Sequence, residues 1–137
     1  MSVKLVDGWA VGIEYSPGDT GSITADFRGI CDAAFMNLSC LSEVHSTGSS
    51  GVKHIPVSAF LGCVNLHYLE LLNVYTIGDY AFASCACNPN DRSSAYIYGG
   101  LSSIGKHAFD GCRYMYSCSI YGNNALTAIK ESTFKGC

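Results

Sequence analysis

The sequence predicts an α/β repeat solenoid. Short strands stack into a parallel sheet on a concave face, and short helical or irregular turns form the convex face. Three observations carry this reading. Phe35, Phe60, Phe82, Phe109 and Phe134 each follow a small residue and lie 25, 22, 27 and 25 residues apart. Five residues before each stands an isoleucine (Ile30, Ile55, Ile77, Ile104, Ile129), and three before that a large apolar residue (Phe27, Val52, Val74, Leu101, Leu126). Three residues after the Phe come Leu38, then Cys63, Cys85, Cys112 and Cys137. One turn of such a repeat cannot bury its own apolar face, so neighbouring turns must cover it.

Each period divides into two parts. The first reads apolar-x-x-Ile-x-x-x-Ala-Phe-x-Gly-Cys. It is expected to hold a short helical turn around Ala-Phe-x-Gly, ended by glycine at positive φ. The second part holds the strand. It is clearest in Leu66-His67-Tyr68-Leu69-Glu70-Leu71 and Met115-Tyr116-Ser117-Cys118-Ser119-Ile120, which end in period-2 alternation. Leu41-Ser42-Glu43-Val44 is a weaker version, and Ala95-Tyr96-Ile97-Tyr98 follows a local insertion. Val11-Gly12-Ile13-Glu14-Tyr15 reads as the strand of a degenerate first turn. Residues 1–22, with Trp9 and Val11, therefore read as an irregular N-terminal turn or cap. Residues 23–137 read as an array of about five turns, the last incomplete. Connections rich in turn formers lie before the array at 15–21 and within it at 46–51 and around Asn88-Pro89-Asn90-Asp91.

The segment Leu101-Ser102-Ser103-Ile104-Gly105-Lys106-His107-Ala108-Phe109-Asp110-Gly111-Cys112 recurs in Val74 to Phe82 and in Leu126 to Cys137. It resembles the BspA-like leucine-rich repeat family, whose kind of period is about 20–29 residues. The resemblance covers roughly Ile23 to Cys137. It implies a right-handed leucine-rich-repeat coil, with Cys63, Cys85, Cys112 and Cys137 as an inward ladder. On that reading their thiols donate to backbone carbonyls left open by the turn. Free thiols are the default, with a Cys31–Cys40 pair the alternative in an oxidising compartment. The resemblance also implies a non-catalytic, adhesion-type module that binds a protein partner at the cell surface or outside the cell. A cytoplasmic interaction scaffold is the alternative.

Composition excludes several other classes. With 48% hydrophobic and 14% charged residues, the chain can bury enough surface to fold. A net charge of −3 gives no case for nucleic acid. No run of about 18 apolar residues predicts membrane insertion, and the first eight residues lack the basic and apolar segments of a leader. No catalytic residue, cofactor site or metal site is expected. The four histidines show no His-x-x-x-His spacing, and Cys85-x-Cys87 has no second pair at zinc spacing.

The candidate partner-binding surface is the outward face of the concave strands. Repeat register gives one column of Gly12, His45, Glu70, Tyr96 and Ser119, and a second of Glu14, Thr47, Leu72, Tyr98 and Tyr121, flanked by Tyr68 and Tyr116. Tyrosine offers a large contact area with a polar tip at low entropic cost. The sequence ends within a repeat, at Lys135-Gly136-Cys137. An uncapped stack of this kind predicts either a longer parent protein or self-association through the C-terminal end.

Overall fold

A computed structural model describes the chain except residues 15, 17, 18, 20, 27, 47–51, 87, 91, 123 and 124. Phe27 of the apolar column, Thr47 of the second concave column, Cys87 and most of the 46–51 connection thus lie outside the described residues. The strands are β1 (Ser2–Val6), β2 (Trp9–Glu14), β3 (Ser22–Ala25), β4 (Gly29–Ile30), β5 (Glu43–Ser46), β6 (His54–Ile55), β7 (Tyr68–Leu72), β8 (Thr76–Ile77), β9 (Ser93–Tyr98), β10 (Ser103–Ile104) and β11 (Met115–Tyr121).

The main sheet is parallel throughout, in the order β11-β9-β7-β5-β3. Within it Ile23, Val44, Leu69, Ala95 and Cys118 align as one inward row. A lateral sheet of two-residue strands, β10-β8-β6, stacks Ile104, Ile77 and Ile55, all at most 2% exposed. A third sheet, β1-β2-β4, joins an N-terminal antiparallel hairpin to the stack. Asp7 (φ 50°) and Gly8 (φ 81°) make its two-residue turn, and positive φ at both positions matches the twist of the flanking strands. The strand expected at Val11–Tyr15 therefore lies, over its described residues Val11 to Glu14, in this hairpin and not in the concave sheet; Tyr15 is outside the described residues. The first concave strand is β3.

The Phe column forms a continuous stack. Rings of Phe35, Phe60, Phe82, Phe109 and Phe134 follow one another at 5.1–5.3 Å between centroids, with interplanar angles of 15° or less. The cysteine column lies beside it. The thiols of Cys63, Cys85, Cys112 and Cys137 donate to the carbonyls of Phe35, Phe60, Phe82 and Phe109 at 3.0–3.1 Å. Each thiol thereby ties one turn to the turn before it. Ile129 departs from its column and is 54% exposed. Among the described residues no strand follows β10 in the lateral sheet to cover it.

The convex face corrects the expected fold class. Among the described residues there is no helix, so the structure is a parallel β-solenoid, not an α/β one. Its turns are held by an alternating hydrogen-bond pattern. The N–H groups of Ser58, Phe60 and Gly62 donate to Asp79, Ala81 and Ala83 in the next turn. The intervening Ala59, Leu61 and Cys63 donate three residues back, to Pro56, Ser58 and Phe60. The next turn repeats the pattern. Tyr80, Phe82 and Ser84 bond to Lys106, Ala108 and Asp110, while Ala81, Ala83 and Cys85 bond to Gly78, Tyr80 and Phe82. An α-helix needs each N–H for the carbonyl four residues back, and here every second one is committed to the neighbour. Two left-handed residues per turn produce the alternation. One lies two before the Phe (Ala33, Ser58, Tyr80, His107, Ser132) and one two after (Asn37, Gly62, Ser84, Gly111, Gly136).

Candidate functional site

Strand pairing fixes which side chains share the concave face. Burial alternates along β7 and β9, with Leu69, Leu71, Ala95 and Ile97 inward and Tyr68, Glu70, Leu72, Tyr96 and Tyr98 half-buried on the outer side. Three outward columns result. The first aligns Ser22, Glu43, Tyr68, Ser94 and Ser117. The second aligns Thr24, His45, Glu70, Tyr96 and Ser119. The third aligns Leu72, Tyr98 and Tyr121.

The columns form an aromatic track with an acidic patch at one end. His45 packs against Tyr68 (5.1 Å between centroids) and Tyr68 against Tyr96 (5.9 Å), while Tyr98 and Tyr121 stack at 4.9 Å and 13°. His45 sits between two carboxylates, with Nε2 3.3 Å from Glu43 and Nδ1 3.5 Å from Glu70. His67 Nε2 approaches the other Glu43 oxygen at 4.0 Å. Partial burial, then the charge of Glu70, pushes the Tyr68 phenol up. Loss of hydration, then Tyr121 and Glu70, does the same at Tyr98. Both phenols thus keep their protons and can donate hydrogen bonds at neutral pH.

The face unites seven of the expected residues directly: His45, Tyr68, Glu70, Leu72, Tyr96, Tyr98 and Tyr121. Ser119 joins through its pairing with Tyr96. Tyr116 occupies an irregularity where the β9–β11 register shifts; it is 71% exposed, with the Arg92 guanidinium 5.2 Å from its ring centroid. Gly12 and Glu14 do not belong to these columns, because β2 pairs with β1 and β4. Thr24 occupies the place expected of Gly12. Glu43 was missed, although it stands two residues before His45 in one strand, and period-2 alternation puts both on one face.

The described residues contain no cluster of three or more His, Cys, Asp or Glu able to hold a metal ion. The seven described cysteines are free thiols. Burial pushes the Cys85 thiol well up and that of Cys118 to about 11. A protonated thiol is a poor nucleophile and a poor ligand.

A family model for the BspA type leucine rich repeat region matches residues 19–137 in six copies. The chain belongs to the BspA-type leucine-rich repeat family. All five concave strands and all five Phe-centred turns fall within the matched residues. No curated protein and no solved structure shows significant similarity to the chain. BspA-type chains are leucine-rich repeat proteins, a class of generally non-catalytic repeat that mediates protein interactions.

Proposed function

We propose that the chain is an adhesion-type protein-binding module that takes an extended segment of a partner across its concave strands. The observation that carries the reading is the aromatic track Tyr68–Tyr96 and Tyr98–Tyr121, in register across β7, β9 and β11. Regular spacing of about 4.8 Å between strands sets these rings on a fixed grid. Such a grid offers a fixed row of rings for an extended partner segment to lie across. Interfaces gain most from a few large aromatic anchors, and stacked tyrosines are already ordered before the partner arrives.

Photo-cross-linking tests the reading. A benzoylphenylalanine at position 96 is expected to capture a discrete protein from extracts of the source organism. The same group at Met36, exposed on the convex turn, is expected to capture none. Adding Tyr98→Ser and Tyr121→Ser should abolish the capture from position 96 and leave the circular dichroism unchanged. Equal capture from both positions, or capture that survives the serine changes, refutes it.

A further inference from the structure

The lateral face carries a second surface, independent of the concave one. Its short strands turn two registered sets of residues outward: Trp9 on β2 beside Gly29 on β4, and His54, Thr76 and Ser103 on β6, β8 and β10. The inward residues, Ala10, Ile30, Ile55, Ile77 and Ile104, are buried. Gly29 is the gap in the first set, and the indole of Trp9 lies across it. A Cβ at Gly29 would stand 2.5 Å from Trp9 Cζ3, so the ring can rest there only on a glycine. One side of the indole is thus pressed to the backbone, yet Trp9 remains 42% exposed.

Beside the ring opens a cleft of about 560 Å³, lined in part by Trp9, Arg28, Asp32, Lys53 and His54. That volume falls within the roughly 300–1,000 Å³ typical of small-ligand sites. Asp32, His54 and Pro56 also line a second cleft of about 360 Å³, which continues over Thr76 and Ser103. Together they make a groove longer than a single small ion requires. Two cations face one carboxylate in the first cleft, although the whole chain has a net charge of −3. Among the described residues neither Arg28 nor Lys53 stands in an ion pair. Lys53 holds its ammonium 5.3 Å from the Tyr75 ring centroid, and His54 Nδ1 is fixed 2.8 Å from Thr76 Oγ1.

We propose that this groove binds an acidic oligosaccharide. A sugar ring lies on the open face of Trp9, and its sulfate or carboxylate groups pair with Arg28 and Lys53. The negative face of an indole attracts the polarised C–H bonds of a pyranose. Guanidinium matches the planar or multi-oxygen geometry of carboxylate and sulfate, and ammonium adds a point charge. Asp32, Thr76 and Ser103 supply acceptors and donors for sugar hydroxyls. Asp32 also disfavours a ligand charged at every position, so the fit is to acidic groups spaced by hydroxyls.

Trp9 is the one tryptophan of the chain, so its emission reports on this cleft alone. The probes are a heparin-derived hexasaccharide and neutral maltohexaose, titrated into the full chain. The sulfated probe should change Trp9 emission saturably and lose affinity as salt rises, while maltohexaose produces no change. The exposed pair Arg28→Gln and Lys53→Gln should weaken binding about tenfold. The charge-matched pair Lys106→Gln and Lys135→Gln, on the convex turns, should leave it unchanged, with circular dichroism checking the fold of both. An unresponsive Trp9, an equal response to maltohexaose, or an equal loss in the charge-matched pair would overturn the proposal.

Discussion

Replacing Phe82 by alanine removes the central ring of a five-ring stack, with neighbours Phe60 at 5.1 Å and Phe109 at 5.2 Å. The side chain is 1% exposed, and the carbonyl of the same residue accepts the Cys112 thiol. Deleting a fully buried Phe costs about 3–5 kcal/mol, in which each lost ring pair counts for about 0.5–1.5 kcal/mol. Phe134 has one described ring neighbour, Phe109 at 5.3 Å, and is only partly buried. Phe134→Ala should therefore cost about half as much, roughly 1.5–2.5 kcal/mol. Urea unfolding followed by far-UV circular dichroism reads both. With a slope of about 2 kcal/mol per molar, Phe82→Ala lowers the midpoint by about 2 M and Phe134→Ala by about 1 M. Because ladder turns touch only their neighbours, the double change at Phe60 and Phe82 should be non-additive by about 0.5–1.5 kcal/mol. Equal costs at positions 82 and 134, or a cost under about 1 kcal/mol at 82, would refute the stacked-ladder reasoning.

Further predictions concern the thiols and the left-handed turn positions. Cys63, Cys85 and Cys112 are buried, so they should resist a thiol reagent in the native protein and react once it is unfolded in urea; fast native reaction would contradict the ladder. A thiol harder to ionise in the fold than in the open chain stabilises the fold fully below its unfolded value. That contribution is lost as pH rises through the folded value. For Cys118 the window runs from about 9 to about 11. Urea midpoints should hold steady to about pH 8, then fall across this window, less so in Cys118→Ala; a flat profile would exclude this thiol contribution. Gly111→Ala (φ 74°) should destabilise by about 1 kcal/mol. Ala33→Gly (φ 55°) should stabilise slightly, because left-handed alanine costs about 1–2 kcal/mol and glycine adds less chain entropy than that. Opposite signs in urea melts would undo the turn assignment.

The parts of the fold legible in the sequence are those written in side-chain identity. Phe82, Ile77 and Cys85 repeat because each must match its counterpart one turn away, so their columns and the strands between them can be read directly. The convex turn was misread because Ala-Phe-x-Gly is locally compatible with a helix. What excludes one is the non-local commitment of N–H groups such as that of Phe60 to Ala81. Nothing local signals the left-handed tyrosine at Tyr80, a conformation uncommon for its side chain. The hairpin did have a local signal, Asp7-Gly8 between two apolar runs, but the repeat period drew those residues into a first turn. That error carried Gly12 and Glu14 into the site columns. The true first strand, β3, has only Ile23 as a large apolar residue and leaves a weak alternation to detect. The lateral cleft was illegible because its residues come from three separate turns.

Each turn is bonded to the next through alternate amides, which fixes the strand spacing of the concave face. Scalar couplings across hydrogen bonds, measured by NMR on isotope-labelled protein, test it directly. Couplings are expected from the amide nitrogens of Phe60, Phe82 and Phe109 to the carbonyl carbons of Ala81, Ala108 and Thr133. Couplings from these same nitrogens to carbonyls four residues back in their own turn would contradict it.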